Sequence, residues 1–134
     1  MKETLDADSR QALIKYRIER AYATMKEAQY NADGGFYVAA VNRLYYACYY
    51  AVLALFLKYD ISAQTHHGVK SMLGLHFISK DILSKEDGKI FCDLFDKRHS
   101  GDYDDYIYCD LETVRDLYPR AAQFIDDVNK LVNS

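Results

Sequence analysis

The sequence predicts an all-α protein, an antiparallel up-and-down bundle of about five helices. Apolar residues recur at helical spacing nearly from end to end, and neither alternating strands nor Asn-Gly turns interrupt them. The chain has 134 residues, half of them apolar and one of them Pro. This composition suits a packed domain rather than a disordered or loop-rich chain. We therefore predict one helical domain over residues 1–134.

The first two helices follow from their apolar patterns. A stripe with spacings of 4, 3, 4, 3 and 4 residues, typical of a left-handed bundle, ends at Gly34 and Gly35. Residues 36–58 form the second helix, in which positions 44–57 are unbroken apolar residues. A membrane span needs roughly 20 such residues, so we expect a buried central helix and no membrane association. The stripe of the first helix consists of Ile14, Ile18, Ala21, Met25, Ala28 and Ala32.

The third and fourth helices follow from capping residues and apolar faces. Ser62 or Thr65 can cap the third, over residues 66–78, and Ser84 can open the fourth. The third helix is expected to bury Val69, Met72, Leu73 and His76, and the fourth has the stripe Ile90, Phe91, Leu94 and Phe95.

The last helix, residues 110–132, contains Pro119 within its apolar stripe. Since proline lacks the N–H that a helix interior uses, either the helix is kinked there or its regular part begins near that residue. The unbroken heptad phase favours the kink. The stripe consists of Val114, Leu117, Ala121, Phe124, Val128 and Leu131.

Charge and cysteine content limit the function. The net charge of −3 offers no general polyanion-binding surface, so any nucleic-acid contact must come from a few placed cations. The odd number of cysteines without CxxC spacing predicts free thiols that are buried or half-buried. The N-terminus lacks the apolar segment of a signal peptide. From both observations we expect a cytoplasmic protein. Histidines and cysteines are scattered, so no metal site and no cofactor are expected. The cysteines are Cys48, Cys92 and Cys109.

Arg98 is the most informative residue. It follows Leu94 by four positions and so falls on the apolar stripe of its helix, where a permanent charge requires an anion. If the helix continues through Gly101, Asp102 follows on the same face and can clasp the guanidinium. If the chain turns at Gly101, the guanidinium can bind a phosphate, with Tyr103 as a nearby donor. The neighbouring acids favour the clasp, but both interpretations remain open.

Two other patterns admit alternatives. Tyr45, Tyr46 and Tyr49 form a polar-tipped stripe on the second helix, beside Arg43. We favour the interpretation in which the rings fill the core and Arg43 pairs with an acid of another helix, and the alternative is a polar pocket inside the bundle. His67, with Lys70 three residues later, is similar to the His-x-x-Lys of histidine phosphotransfer bundles, a minor alternative that requires an exposed imidazole.

Four segments, taken in order, resemble the small stand-alone HEPN-domain proteins of bacteria and archaea. They are Arg-Leu-Tyr-Tyr-Ala at 43–47, Thr-His-His-Gly-Val at 65–69, Gly-Leu-His-Phe-Ile at 74–78 and Arg-His-Ser-Gly-Asp-Tyr at 98–103. The resemblance covers nearly the whole chain. It implies a helical bundle that forms a homodimer and works with a minimal nucleotidyltransferase, often as a toxin–antitoxin system. It also implies a metal-independent ribonuclease whose Arg-x(4–6)-His motif meets its twin across a dimer cleft.

On this sequence Arg98 matches the motif arginine, while the histidine positions hold Tyr103, Asp104 and Asp105. The resemblance therefore implies a toxin-like component that acts on RNA or a nucleotide, with Arg98 as anion contact and catalytic candidate, shaped by Asp102 and Tyr103. A non-catalytic nucleotide-binding or protein-interaction module is the alternative. The remaining candidates are Arg43, Tyr46 and His66 for binding, and Tyr103 or Tyr106 for adenylylation by the partner.

Overall fold

Five α-helices account for most of the chain in the computed structural model, which describes residues 5–100 and 108–134. No strand occurs among these residues, so the prediction of an all-α bundle is confirmed. The third helix continues into one π-helical segment, Gly74–Ile78. The helices are α1 (Ala7–Asp33), α2 (Tyr37–Tyr59), α3 (His66–Leu73), α4 (Lys85–Ser100) and α5 (Leu111–Val132).

The helix α2 lies at the centre of the bundle. It packs most extensively against α1 and also contacts α5 and α4, and one apolar cluster joins residues of all five helices. Small residues let the neighbours approach closely: Ala40, Ala47, Ala51 and Ala54 are fully buried. Of the helices described, α2 alone is long and apolar enough to cross a membrane, but 61% of that stretch is buried inside the bundle, as in a core helix.

Local chemistry sets the ends of α1 to α3. The predicted stripe of α1 packs into the core, and Gly35, with φ 81°, follows the helix in the left-handed region that glycine tolerates. Asp60 ends α2 in a left-handed conformation, with φ 56°. Of the two candidates for the cap of α3, Thr65 fills the role, since its hydroxyl accepts the Gly68 N–H at 2.9 Å.

The prediction of which residues of α3 are buried is partly wrong. Val69 and Leu73 are buried as expected, and Met72 is half-buried, but Phe77, rather than His76, takes the next core position. The cause is the π-helical turn, in which the Ser79 N–H donates to the Gly74 carbonyl at 2.9 Å. This wider turn shifts the phase of the side chains that follow it.

The predictions for α4 and α5 are largely confirmed. Ser84 accepts the Asp87 N–H at 3.0 Å, and the stripe from Ile90 to Phe95 is buried. Asp110 caps α5 by accepting the Thr113 N–H at 2.9 Å. Since α5 runs unbroken from Leu111 to Val132, the alternative that its regular part begins near Pro119 is wrong.

Candidate anion-binding site

Arg98, in the last turn of α4, is half-buried and lies on two tyrosine rings. Its Nε donates to the Tyr46 hydroxyl at 3.4 Å. Its guanidinium carbon lies 5.6 Å from the ring centroid of Tyr45 and 5.8 Å from that of Tyr46. Both distances are within cation–π range. The guanidinium therefore points towards the bundle, on the side of α4 that the apolar stripe indicated.

Tyr45 links this arginine to an imidazole. Its ring is fully buried, and its hydroxyl lies 2.7 Å from Nδ1 of His66. Burial raises the pKa of Tyr45, and the charge of Arg98 acts in the opposite direction. Since the phenol keeps its proton, we assign it as the donor and Nδ1 as the acceptor, which places the ring proton of a neutral His66 on Nε2.

His66 is held by three tyrosines. It is the first residue of α3, directly after the Thr65 cap, and its ring stacks on Tyr49 with the centroids 4.4 Å apart. It also contacts the rings of Tyr45 and Tyr46, at 5.7 and 5.9 Å. Arg98 and His66 therefore share two aromatic neighbours, although 32 positions separate them in the sequence.

Replacing Tyr45 by phenylalanine should cost about 1 kcal/mol of unfolding free energy. The ring volume is kept, but the part-buried Nδ1 loses its donor. Urea unfolding measures the loss, and 15N NMR of the imidazole should show His66 no longer held in one tautomer. Tyr30→Phe, at a tyrosine that is 82% exposed, is the control. An unchanged stability and tautomer in Tyr45→Phe would show that this hydrogen bond does not hold the imidazole.

Arg43 and Tyr46 are arranged as the favoured interpretation of the sequence predicted, with Arg43 paired with an acid of another helix. The Arg43 Nη1 lies 3.7 Å from Oε1 of Glu27, an acid of α1, and its guanidinium carbon lies 5.1 Å from the Tyr46 ring centroid. Tyr46 is thus within cation–π distance of two guanidinium groups, those of Arg43 and Arg98. Tyr45 fills the core, as that interpretation also required.

Three predicted site residues, Asp102, Tyr103 and Tyr106, lie outside the described residues. The clasp and the phosphate interpretation of Arg98 both remain as predictions. Sequence reasoning missed the contribution of α1, where the Arg20 guanidinium lies 5.3 Å from the Tyr50 ring centroid. The sequence does indicate a polar side of α1, because residues 17, 20, 24 and 27 are polar positions spaced 3, 4 and 3 apart beside the apolar stripe.

Other candidate chemistry finds less support in the structure. In the residues described, 5–100 and 108–134, no group of three or more His, Cys, Asp or Glu side chains is placed to hold a metal. The three cysteines are free, and burial raises the pKa of the Cys48 thiol. His67 is exposed, which the phosphotransfer alternative requires, but its ring contacts Phe95 rather than the tyrosines around His66.

The sequence of this helical bundle matches the profile of one known class of domain. The profile described as "HEPN domain" matches residues 14–131, so the chain belongs to the HEPN family, as the sequence motifs indicated.

Individual relatives extend the match over most of the chain. A protein of Thermotoga maritima named "UPF0332 protein" is 31% identical over 93% of this chain and 95% of its own length. Two proteins of Methanocaldococcus jannaschii, each named "Putative toxin", are both 29% identical. The matches cover 87% of this chain and 80% of the first protein, and 97% of this chain and 96% of the second.

Proposed function

We propose that this chain is a toxin-like HEPN protein that acts on RNA or a nucleotide as a cytoplasmic homodimer, together with a minimal nucleotidyltransferase. The observation that carries the proposal is the half-buried guanidinium of Arg98, positioned by Tyr46 and the ring of Tyr45. A guanidinium fixed in this way suits bidentate contact with a phosphate. The names of the two Methanocaldococcus relatives support the toxin-like role.

The chemistry proposed for cleavage needs a cation at the phosphate and a group that moves protons. Arg98 would neutralise the phosphate charge that grows during attack by the ribose 2′-hydroxyl. His66 is the imidazole that contacts the same two tyrosines, but its Nδ1 lone pair is taken up by the Tyr45 hydroxyl, so the neutral ring is not the base in this scheme. Water would take the 2′-hydroxyl proton as the 2′-oxygen bonds to phosphorus and the bond from phosphorus to the 5′-oxygen breaks. In its protonated form His66 would give its Nε2 proton to the leaving 5′-oxygen, a transfer that tyrosine, with its ordinary pKa near 10, performs poorly at neutral pH. No metal takes part in this scheme.

The test is incubation of the purified chain with single-stranded RNA, with and without a chelator. We expect cleavage that the chelator does not change and that leaves cyclic 2′,3′-phosphate ends, since the attacking group is the neighbouring hydroxyl. Metal-dependent cleavage, or cleavage that leaves 5′-phosphate ends, would contradict the mechanism.

A non-catalytic nucleotide-binding or protein-interaction module is the second candidate, because Tyr103, Asp104 and Asp105 stand where the family's motif histidine is expected. It predicts no cleavage of any RNA offered, together with measurable binding of a nucleotide or of the partner protein.

The partner is tested by co-expression with a minimal nucleotidyltransferase. We expect the two proteins to purify together, and intact-mass analysis should show one added adenylyl group if Tyr103 or Tyr106 is its acceptor. Sedimentation of the chain alone tests the homodimer. A monomer with no affinity for the transferase would contradict the assembly proposed here.

A further inference from the structure

Tyrosines and arginines of α1, α2 and the end of α4, Arg98 among them, form one surface, which we call the tyrosine–arginine face. Its three tyrosines are half-buried, so part of each ring remains accessible. Its arginines come from three helices. The face consists of Tyr46, Tyr49 and Tyr50 with Arg17, Arg20, Arg43 and Arg98.

The rings of this face are in mutual contact. Tyr46 lies 6.1 Å from Tyr49 and 6.2 Å from Tyr50, and Tyr49 lies 6.4 Å from Tyr50, measured between centroids. Tyr46 and Tyr50 are one helical turn apart, which advances the face by about 6 Å along α2. The aromatic surface therefore continues from the Arg98 end of the site towards α1.

Guanidinium groups lie at both ends of the face. Arg20 lies over Tyr50 at 5.3 Å, while Arg43 and Arg98 lie near Tyr46 at 5.1 and 5.8 Å. Arg17 precedes Arg20 by three positions on α1, so the two arginines are neighbours on one side of that helix. The charges of Arg17 and Arg98 oppose the rise in the Tyr49 pKa that burial causes. A ring fixes the orientation of the guanidinium beside it, and the planar N–H fork matches the geometry of a phosphate.

One carboxylate lies between two of these cations. Glu27 contacts Arg20 at 3.2 Å and Arg43 at 3.7 Å. The side chains of Arg20 and Glu27 are 37% and 44% exposed, so the pair is open to solvent and to an exchange of partners. A phosphate that approaches either arginine has to compete with this carboxylate.

We propose that the tyrosine–arginine face binds an unpaired stretch of RNA that continues from the phosphate held at Arg98, and that Glu27 competes with its phosphates. This inference rests on the proposed function and assigns a substrate class, unpaired RNA several nucleotides long rather than a mononucleotide. The arginines contact phosphates, and the accessible parts of Tyr46, Tyr49 and Tyr50 contact bases.

The chemistry favours an unpaired strand over a duplex. Bases of a single strand are free to stack on aromatic side chains, whereas those of a duplex are already stacked on each other. The chain carries a net charge of −3, so attraction has to come from a local cluster of cations rather than from the protein as a whole. The four arginines of this face form such a cluster.

The first test compares ligands of two lengths by fluorescence anisotropy. A labelled oligouridylate octamer reports on the whole face, and UMP, measured by competition, reports on the Arg98 end. We expect Arg20→Gln to weaken octamer binding about fivefold, to lower the slope of log affinity against log salt by about 0.7, and to leave UMP unchanged. Arg115→Gln is the matched control, because Arg115 pairs only with Glu112 among the described contacts of α5. Equal effects of Arg20→Gln and Arg115→Gln would overturn the inference.

The same measurements separate this inference from the proposed function. Arg98→Ala should weaken both the octamer and UMP, since both use the same phosphate contact. If Arg98→Ala changed neither ligand while Arg20→Gln still weakened the octamer, the face would stand as an RNA-binding surface and the function proposed for Arg98 would fail.

The second test removes the competing carboxylate and is expected to strengthen octamer binding rather than weaken it. Glu27→Gln should tighten octamer binding about two- to fivefold, because Arg20 and Arg43 lose an exposed ion pair. Glu112→Gln, which removes the same charge from α5, should have no such effect. If Glu27→Gln changed self-association in sedimentation and left octamer affinity unchanged, the face would be an interface with a second copy, and the inference would be overturned.

Discussion

Replacing Arg98 by alanine should lower the rate of RNA cleavage by about 100-fold and weaken mononucleotide binding by at least about tenfold. The first effect is the usual loss when one stabilising donor to a developing negative charge is removed. The second follows from the loss of a charged hydrogen bond to phosphate. Arg98→Lys keeps the charge but not the planar fork that Tyr46 positions, so its activity should lie between those of wild type and Arg98→Ala.

Stability has to be controlled in this experiment, since Arg98 also lies within cation–π distance of Tyr45 and Tyr46. We expect its loss to cost about 1 kcal/mol of unfolding free energy, so activity should be compared well below the melting temperature. Arg115→Ala removes an arginine that is 65% exposed and serves as the control. Full activity and affinity in Arg98→Ala would show that the anion contact lies elsewhere in the protein.

The second large effect concerns a carboxyl pair between α4 and α5. Asp87 is 4% exposed. Its burial raises its pKa from 3.8 to about 7, and a hydrogen bond with Asp127 and the charge of Asp127 contribute in the same direction. The folded protein therefore holds a proton that the unfolded chain releases near pH 4. The contribution of Asp87 to the unfolding free energy should fall as the pH rises from about 4 to about 7, and it should be largest below that window.

Asp87→Asn should remove this dependence and stabilise the protein by about 2 kcal/mol at pH 8. The amide can donate to Asp127 at any pH, whereas two carboxylates repel when both are ionised. Urea unfolding at pH 4.5 and at pH 8 measures the difference between the two proteins, which should shrink at the lower pH. Glu86→Gln removes an exposed acid of the same helical turn and should give no such gain. A variant that is less stable than wild type at pH 8 would rule out the shared proton.

The sequence predicted features that depend on neighbouring residues. The predicted caps Thr65 and Ser84 act within three positions of the backbone that they bind, so the order of residue types indicates them directly. The π-helical turn and the burial of Phe77 were not predicted, because residue spacing within this segment indicates neither of them. Phe77 packs against Phe56, 6.2 Å between centroids, and against Tyr59 at 5.3 Å, and that packing is part of the tertiary structure.

The candidate site shows the same division. Periodicity alone indicated that Arg98 lies on the inner side of α4, because its angle about the helix follows from its spacing from Leu94. The bond between Tyr45 and His66 joins residues on different helices, and spacing within one helix carries no information about it. The spacing of the polar residues marks a polar side of α1, but it does not indicate that Arg20 meets Tyr50 of α2.

Because α2 forms both the middle of the bundle and one side of the candidate site, occupancy and folding are thermodynamically linked. Any compound that binds only the native protein at Tyr46 or Tyr49 adds RT ln(1 + [L]/Kd) to its stability, which is about 2.7 kcal/mol at 100 times Kd. A thermal-shift survey of mononucleotides and short oligonucleotides would therefore detect the natural ligand as a rise in melting temperature, without any prior assay of activity.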